Sequence, residues 1–194
     1  MNKNSCVFNN LILFAMAGLL GLLLPFLRPD QPLLNPTEAK IESILLKESN
    51  LLTGELKKDF VPYLVATAED HEVDPLLVLA VMKVESTFKP DAISYAGAYG
   101  LLQIKPVAAQ EVGGRPMAKR ELLDPYQNVQ VGIQYLSYLK KMFRKDRVRM
   151  LSAYNMGPTL VRNQGVRSSR YSRKVMAAYQ KFLSHDPAML LAKQ

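Results

Sequence analysis

The sequence predicts an all-α fold, mainly helical, with room for a very short hairpin in the loop 91–104. Apolar residues recur at helical spacing in several segments, and no segment alternates apolar and polar residues as a half-buried strand would. A capping residue followed by proline opens three of these segments, at Asn35-Pro36, Asp74-Pro75 and Asp124-Pro125. With 194 residues, 48% of them hydrophobic, the chain can bury one core of ordinary size. One compact domain of six or seven helices without internal repeats is expected.

Residues 11–27 carry no charge and stand between Lys3 and Arg28, near the lower length limit for crossing a bilayer. They read as a signal peptide or a signal anchor. No small-residue cleavage site follows the apolar run, which favours an uncleaved anchor over residues 1–28. Pro29, Pro32 and Pro36 mark an extended linker. Asn35 as cap, Pro36 at the first helical position and Glu38 three residues after the cap then start a helix. Its partial stripe of Ile41, Ile44, Leu45 and Leu52 suits a stalk or a partner-binding helix, so 29–58 is expected as linker and juxtamembrane helix.

The main domain is expected over 59–185, with a tail at 186–194. Asp59 precedes Phe60, Tyr63, Leu64 and Ala68 at helical spacing, and Asp74-Pro75 opens the helix 76–85, which Lys89-Pro90 stops. Gly97 and Gly100 lie among small residues in the loop 91–100. A short helix is expected over 106–112, ended by Gly113-Gly114. A longer one from Asp124-Pro125 carries Val129, Ile133, Leu136, Met142 and Phe143 on one side. The segment 148–155 follows, stopped by Gly157-Pro158. The last helix runs from Ser169 to about Leu183 with Val175, Met176, Tyr179 and Phe182 on its core face.

Several classes of function are excluded. Cys6 is the only cysteine, and with only His71 and His185 there is no cluster for zinc or a transition metal. Neither a phosphate-binding loop nor a dinucleotide fingerprint is present, so no cofactor is expected. The net charge is +8, and Asp146 is the only acid between residues 140 and 174. That stretch either faces an anionic polymer or lipid or forms the solvated faces of amphipathic helices. Nucleic acid is not an expected partner, since no binding motif accompanies the charge.

Glu85 is the candidate for chemistry. Apart from Asp74 and Lys83, residues 73–84 have no polar face, so the neighbourhood should desolvate the carboxylate. Its place in the last helical turn adds the negative end of the helix dipole, which also opposes ionisation. A carboxylic acid that keeps its proton near neutral pH can protonate a poor leaving oxygen such as that of a glycosidic bond. On Glu85 alone, an exposed side chain in a fraying turn fits equally well.

The order and spacing of a longer set of motifs resemble those of family 1 lytic transglycosylases, enzymes of the lysozyme-like superfamily that cut peptidoglycan. The set runs from Val73-Asp74-Pro75-Leu76 through Glu85-Ser86-Thr87-Phe88 to Ser94-x-x-Gly97-Ala98-x-Gly100-Leu101-Leu102-Gln103-Ile104. It continues with Asn128, Gly132, Tyr135-Leu136, Ala153-Tyr154-Asn155-x-Gly157-Pro158 and Tyr171. The resemblance implies Glu85 as catalytic acid, Ser94 near the sugar's acetamido group, and Gln103 in the substrate groove. It also implies Tyr154 and Asn155 as the tyrosine-asparagine turn and Tyr171 as a late tyrosine beside the acid. Gly97 and Gly100 are expected to let backbone approach a ligand closely. The chain departs from the family pattern at Leu102, where methionine is common, at Met156 in place of alanine, and at Arg167-Ser168 in place of Glu-Thr.

No second carboxylate is clearly paired with Glu85, whereas ordinary glycosidases use two. The resemblance implies a non-hydrolytic cut of the MurNAc-GlcNAc β-1,4 bond in which the sugar's own carbon-6 hydroxyl attacks and a 1,6-anhydromuramoyl end is left. Two alternatives stay open: a muramidase of lysozyme type, and a noncatalytic glycan-binding subunit of a secretion or pilus-like machine. The expected partners are peptidoglycan glycan strands, the inner membrane through residues 11–27, and a protein of such an envelope machine. The expected location is the periplasmic side of that membrane.

Overall fold

The computed structural model describes residues 35–54 and 56–187; the expected anchor at 11–27 and most of the tail lie outside them. Within that range the chain forms nine helices and no strands. They are α1 (Pro36–Glu48), α2 (Leu56–Asp70), α3 (Pro75–Glu85), α4 (Pro106–Gly113), α5 (Lys119–Leu123), α6 (Pro125–Met142), α7 (Arg147–Met156), α8 (Pro158–Asn163) and α9 (Arg170–Leu183). The two helices absent from the sequence reading, α5 and α8, are too short to show a period. Gly157-Pro158 was expected only to stop α7, yet the proline also occupies the first position of α8, where its missing N–H costs nothing.

The cap-and-proline starts hold. Asn35 accepts from the Glu38 amide at 2.8 Å while the Glu38 carboxylate accepts from the Asn35 amide, a complete capping box. Asp74 caps α3 through the Leu76 and Leu77 amides, and Asp124 caps α6 through that of Gln127. Pro62 sits inside α2, where a ladder bond is lost. The complete burial of Phe60, Leu64 and Ala68 on that helix outweighs the loss.

Helix α3 is the centre of the body. Every residue from Leu76 to Met82 is buried, as an all-round apolar helix requires. Its principal partner is α9, which turns Ser172, Val175, Tyr179 and Phe182 inward. Met176, expected on that face, is only partly buried. The two helices run antiparallel. The Tyr179 hydroxyl bonds the Asp74 carboxylate at the start of α3, and the Tyr171 hydroxyl reaches its end.

The stripe on α1 belongs to the same core, with Ile41, Ile44 and Leu45 fully buried against α2 and α3. Glu48, at the end of α1, takes Lys83 of α3 at 2.7 Å and Lys181 of α9 on its other oxygen. Those two ammonium groups hold its carboxyl down at about 2. A depressed carboxyl adds stability that is fully present above the ordinary value of 4.5 and is lost as pH falls toward 2. Glu48→Gln is therefore expected to lower the melting temperature by a few degrees at pH 7. In thermal scans the gap to wild type should close steadily between about pH 4.5 and pH 2.

Candidate active site

Helix α3 ends at Glu85, where the sequence places its end, ahead of the Lys89-Pro90 stop. The ladder stops at Glu85 because Thr87 and Phe88 both take left-handed backbone, at φ +54° and +64°. Phe88 is thereby carried into the core, and Ser86 is buried. The Ser86 hydroxyl donates to the Leu101 carbonyl at 2.8 Å, with the Met82 carbonyl at 3.2 Å. The end of the acid-bearing helix is thus fastened to the loop 91–104.

That loop is the short irregular hairpin expected, closed by isolated bridges between Ile93 and Tyr99 and between Tyr99 and Ile104. Its anchor is Asn128 of α6, which is completely buried. The Asn128 Nδ2 donates to the carbonyls of Tyr99 (2.8 Å) and Leu122 (2.7 Å), and its Oδ1 accepts from the Leu102 amide at 2.8 Å. Gly100 serves this anchor and not a ligand, which corrects the sequence reading: a β-carbon there would lie 2.4 Å from Asn128 Nδ2, and φ is +75°. Gly97 makes the turn at φ +72°, with open space where a β-carbon would stand. Leu102 is fully buried against Gly132, where a β-carbon would fall 2.2 Å from Leu102 Cδ1.

Five of the six expected site residues, Glu85, Ser94, Gln103, Tyr154 and Asn155, line one cavity of about 430 Å³. Tyr171 meets it from behind, donating from its hydroxyl to Glu85 Oε1 at 2.7 Å. The rings of Tyr171 and Tyr154 stack with centroids 6.3 Å apart and an interplanar angle of 5°. Tyr154 in turn donates to the Leu102 carbonyl at 2.8 Å, so the tyrosine of α7 also holds the loop. Asn155 is exposed on the cavity's rim. Met156, one of the departures from the family pattern, lines the cavity and is 38% exposed. Arg167 is exposed.

Two side chains are already committed within the protein. Gln103 donates its amide to the carbonyls of Ala92 (3.0 Å) and Gly100 (2.9 Å), and Ser94 Oγ accepts from the Ala98 amide at 3.0 Å. Both bonds shape the loop while the residues line the cavity. Asn128 was visible in the motif, and Ser86 beside Glu85, but neither of their loop-holding partnerships was read from the sequence. The residues they bind are remote in sequence and lack a local signal.

Burial pushes the Glu85 carboxyl up to about 7, against the opposing pull of the Tyr171 hydrogen bond. The phenols of Tyr154 and Tyr171 are held well above their ordinary value, first by burial and then by the nearby Glu85 charge. Both tyrosines are therefore neutral donors. Glu85 is the only carboxylate among the described residues lining this cavity. Such an arrangement can deliver one proton to a bound oxygen near neutral pH and take one back.

A second cavity of about 360 Å³ adjoins the first, sharing Val107, Ala108, Tyr135 and Gly157. Across it the Tyr138 hydroxyl donates to Glu111 Oε1 at 2.8 Å. The two cavities form one elongated groove, the shape that an extended polymer needs.

The model of the transglycosylase SLT domain family matches residues 62–177. Membrane-bound lytic murein transglycosylase C of Haemophilus influenzae is 36% identical over 114 residues, which cover 52% of this chain and 32% of that protein. Its namesake in Histophilus somni is 34% identical over 112 residues, covering 50% and 31%. The chain thus spans about a third of the length of these curated relatives. Among solved structures, an inactive mutant of the lytic transglycosylase Slt of Pseudomonas aeruginosa aligns with a TM-score of 0.56 and 27% identity, over 69% of this chain and 25% of that one. The 70-kDa soluble lytic transglycosylase of Escherichia coli gives 0.55 and 26%, over 65% and 25%. The family match covers every residue that builds the cavity, and the all-helical, lysozyme-like architecture agrees with it: this chain belongs to the transglycosylase SLT domain family.

Proposed function

We propose that this chain is a peptidoglycan lytic transglycosylase that cleaves the MurNAc-GlcNAc β-1,4 bond without water and leaves a 1,6-anhydromuramoyl end. The observation that carries this reading is Glu85, the one carboxyl among the described residues lining its cavity, raised to about 7 by burial and gripped by Tyr171. The curated relatives of that name and the family match support it.

In the first step Glu85 gives its proton to the glycosidic oxygen as the bond to carbon 1 breaks. The substrate's acetamido group stabilises the cationic carbon, near which Ser94 lines the wall. The carbon-6 hydroxyl then attacks carbon 1, and the Glu85 carboxylate takes its proton back, which closes the cycle. Gln103, Tyr154 and Asn155 position the strand along the wall of the same cavity. A hydrolase would need a second group to hold water, and the cavity has no other carboxylate among its described lining residues. Mass spectrometry of released muropeptides tests the reading: anhydro ends support it, and reducing ends would sink it in favour of a muramidase.

The first step needs the protonated form, so activity is expected to fall as pH rises through about 7. Tyr171→Phe removes the hydrogen bond that lowers the Glu85 pKa, so the alkaline limb of the pH–rate profile should move up. The rate at its optimum should drop by roughly 10 to 100-fold as the acid loses its hold. A profile that does not move would separate Tyr171 from the acid.

The membrane-bound relatives support a place at the cell envelope, and residues 11–27 would supply the anchor on the periplasmic side of the inner membrane. The glycan strand is the partner on this reading, with an envelope-machine protein as a second.

A further inference from the structure

The groove does not stop at Tyr138. A third cavity of about 450 Å³ follows the second and shares Met142 and Arg162 with it. Its remaining lining is Phe143, Arg144 and Arg149. Among the described residues no carboxylate lies within 4 Å of any of these three guanidinium groups, although Lys83, Arg115, Lys140, Arg147 and Lys181 all have one. The guanidinium of Arg149 lies over the Phe143 ring, 5.3 Å from its centroid. Its Nε is buried without a hydrogen-bond partner. Asp146, the only acid in the stretch 140–174, uses an oxygen to cap α7 through the Arg149 backbone amide.

A guanidinium over an aromatic ring still has N–H donors to offer, and a guanidinium edge matches a carboxylate with two parallel bonds. A buried N–H without an acceptor carries a desolvation cost that such an anion would relieve. In a stem-bearing strand the sugars are neutral, since each lactyl carboxyl is tied up in the amide bond to its stem. On the proposed function, the anionic groups of the substrate are the carboxylates of its peptide stems.

We infer that Arg144, Arg149 and Arg162 form a carboxylate site at the far end of the groove, which binds a peptide stem of the strand whose glycan occupies the Glu85 cavity. This inference rests on the transglycosylase reading and deepens it: the enzyme prefers strands that still bear their stems.

The test compares kcat/KM of the full chain on stem-bearing glycan strands and on the same strands after amidase removal of the stems and amidation of the lactyl carboxyls that this exposes. In the double variant Arg144→Gln/Arg149→Gln the ratio of the two is expected to fall about tenfold or more, chiefly through KM, as loss of charge-assisted bonds predicts. An unchanged ratio overturns the inference whatever happens to the absolute rates. Titration of the wild-type protein with a free tetrapeptide stem, and with the same peptide amidated at its carboxyls, keeps the test independent of how the variant folds. Amidation is expected to weaken binding about tenfold. Equal binding overturns the inference, as does an unchanged stem ratio with loss of binding to vesicles rich in anionic lipid, which would reassign the arginines to a membrane surface. If wild type cleaves neither kind of strand, the transglycosylase reading fails, and the peptide titration still decides this site.

Discussion

Glu85→Gln is expected to reduce glycan cleavage by about three orders of magnitude while strand binding persists, because the amide keeps the shape and the Tyr171 contact but has no proton to give. The same change should make the protein more stable in mild alkali. A carboxyl raised to about 7 binds its proton more tightly in the folded state, so wild-type stability declines as pH rises from the ordinary 4.5 through 7. Glutamine escapes that decline. Above pH 7 the variant should gain up to about 3 kcal/mol, or several degrees in melting temperature, and at pH 4 the two proteins should melt together. Differential scanning calorimetry at the two pH values, beside a wall-digestion assay, checks both halves. Persistent digestion would place the acid elsewhere. Loss of digestion with retained binding also disposes of the noncatalytic reading for the wild-type chain.

Asn128→Ala should be the most damaging single change outside the acid. Alanine leaves the Leu102 amide and the Leu122 carbonyl buried without their partner, and takes from the Tyr99 carbonyl one of its two donors, the Ile104 amide being the other. At about 1–3 kcal/mol for each orphaned group, with partial relaxation, the loss should reach roughly 4 kcal/mol. Activity should fall further than stability alone predicts, since the loop that carries Gln103, and the carbonyl that receives Tyr154, both depend on this anchor. Urea unfolding with a parallel digestion assay measures the two effects. A loss below about 1 kcal/mol would mean that water replaces the side chain.

What could be read in advance was local. Caps two or three residues from the amides that donate to them, prolines at first helical positions and the apolar run ahead of Glu85 depend on neighbours in sequence, and Asn35, Asp74, Asp124 and Ser169 all cap as their residue types imply. The pressure on the Glu85 proton was legible for the same reason. The end of α3 at Glu85 was legible too, but its cause was not: Thr87 and Phe88 take left-handed backbone and carry Phe88 into the core, ahead of Pro90. Partners brought together by folding were equally invisible. Asn128 with Leu102, Tyr154 with the Leu102 carbonyl and Glu48 between two lysines are separated by stretches with no periodic link. The stretch 140–174 looked uniformly basic, and only folding sets Lys140 and Arg147 against carboxylates and gathers Arg144, Arg149 and Arg162 around one cavity.

The antiparallel pairing of α3 with α9 sets a timetable for the nascent chain. Glu85 leaves the ribosome 86 positions ahead of the hydroxyl that will grip it, and the helix that carries Tyr171 also closes the apolar flank of α3. A chain that stops short of that helix lacks both the hydroxyl and part of the apolar cover that raises the acid's affinity for its proton. The tuning of the acid is therefore completed only by a segment made well after it.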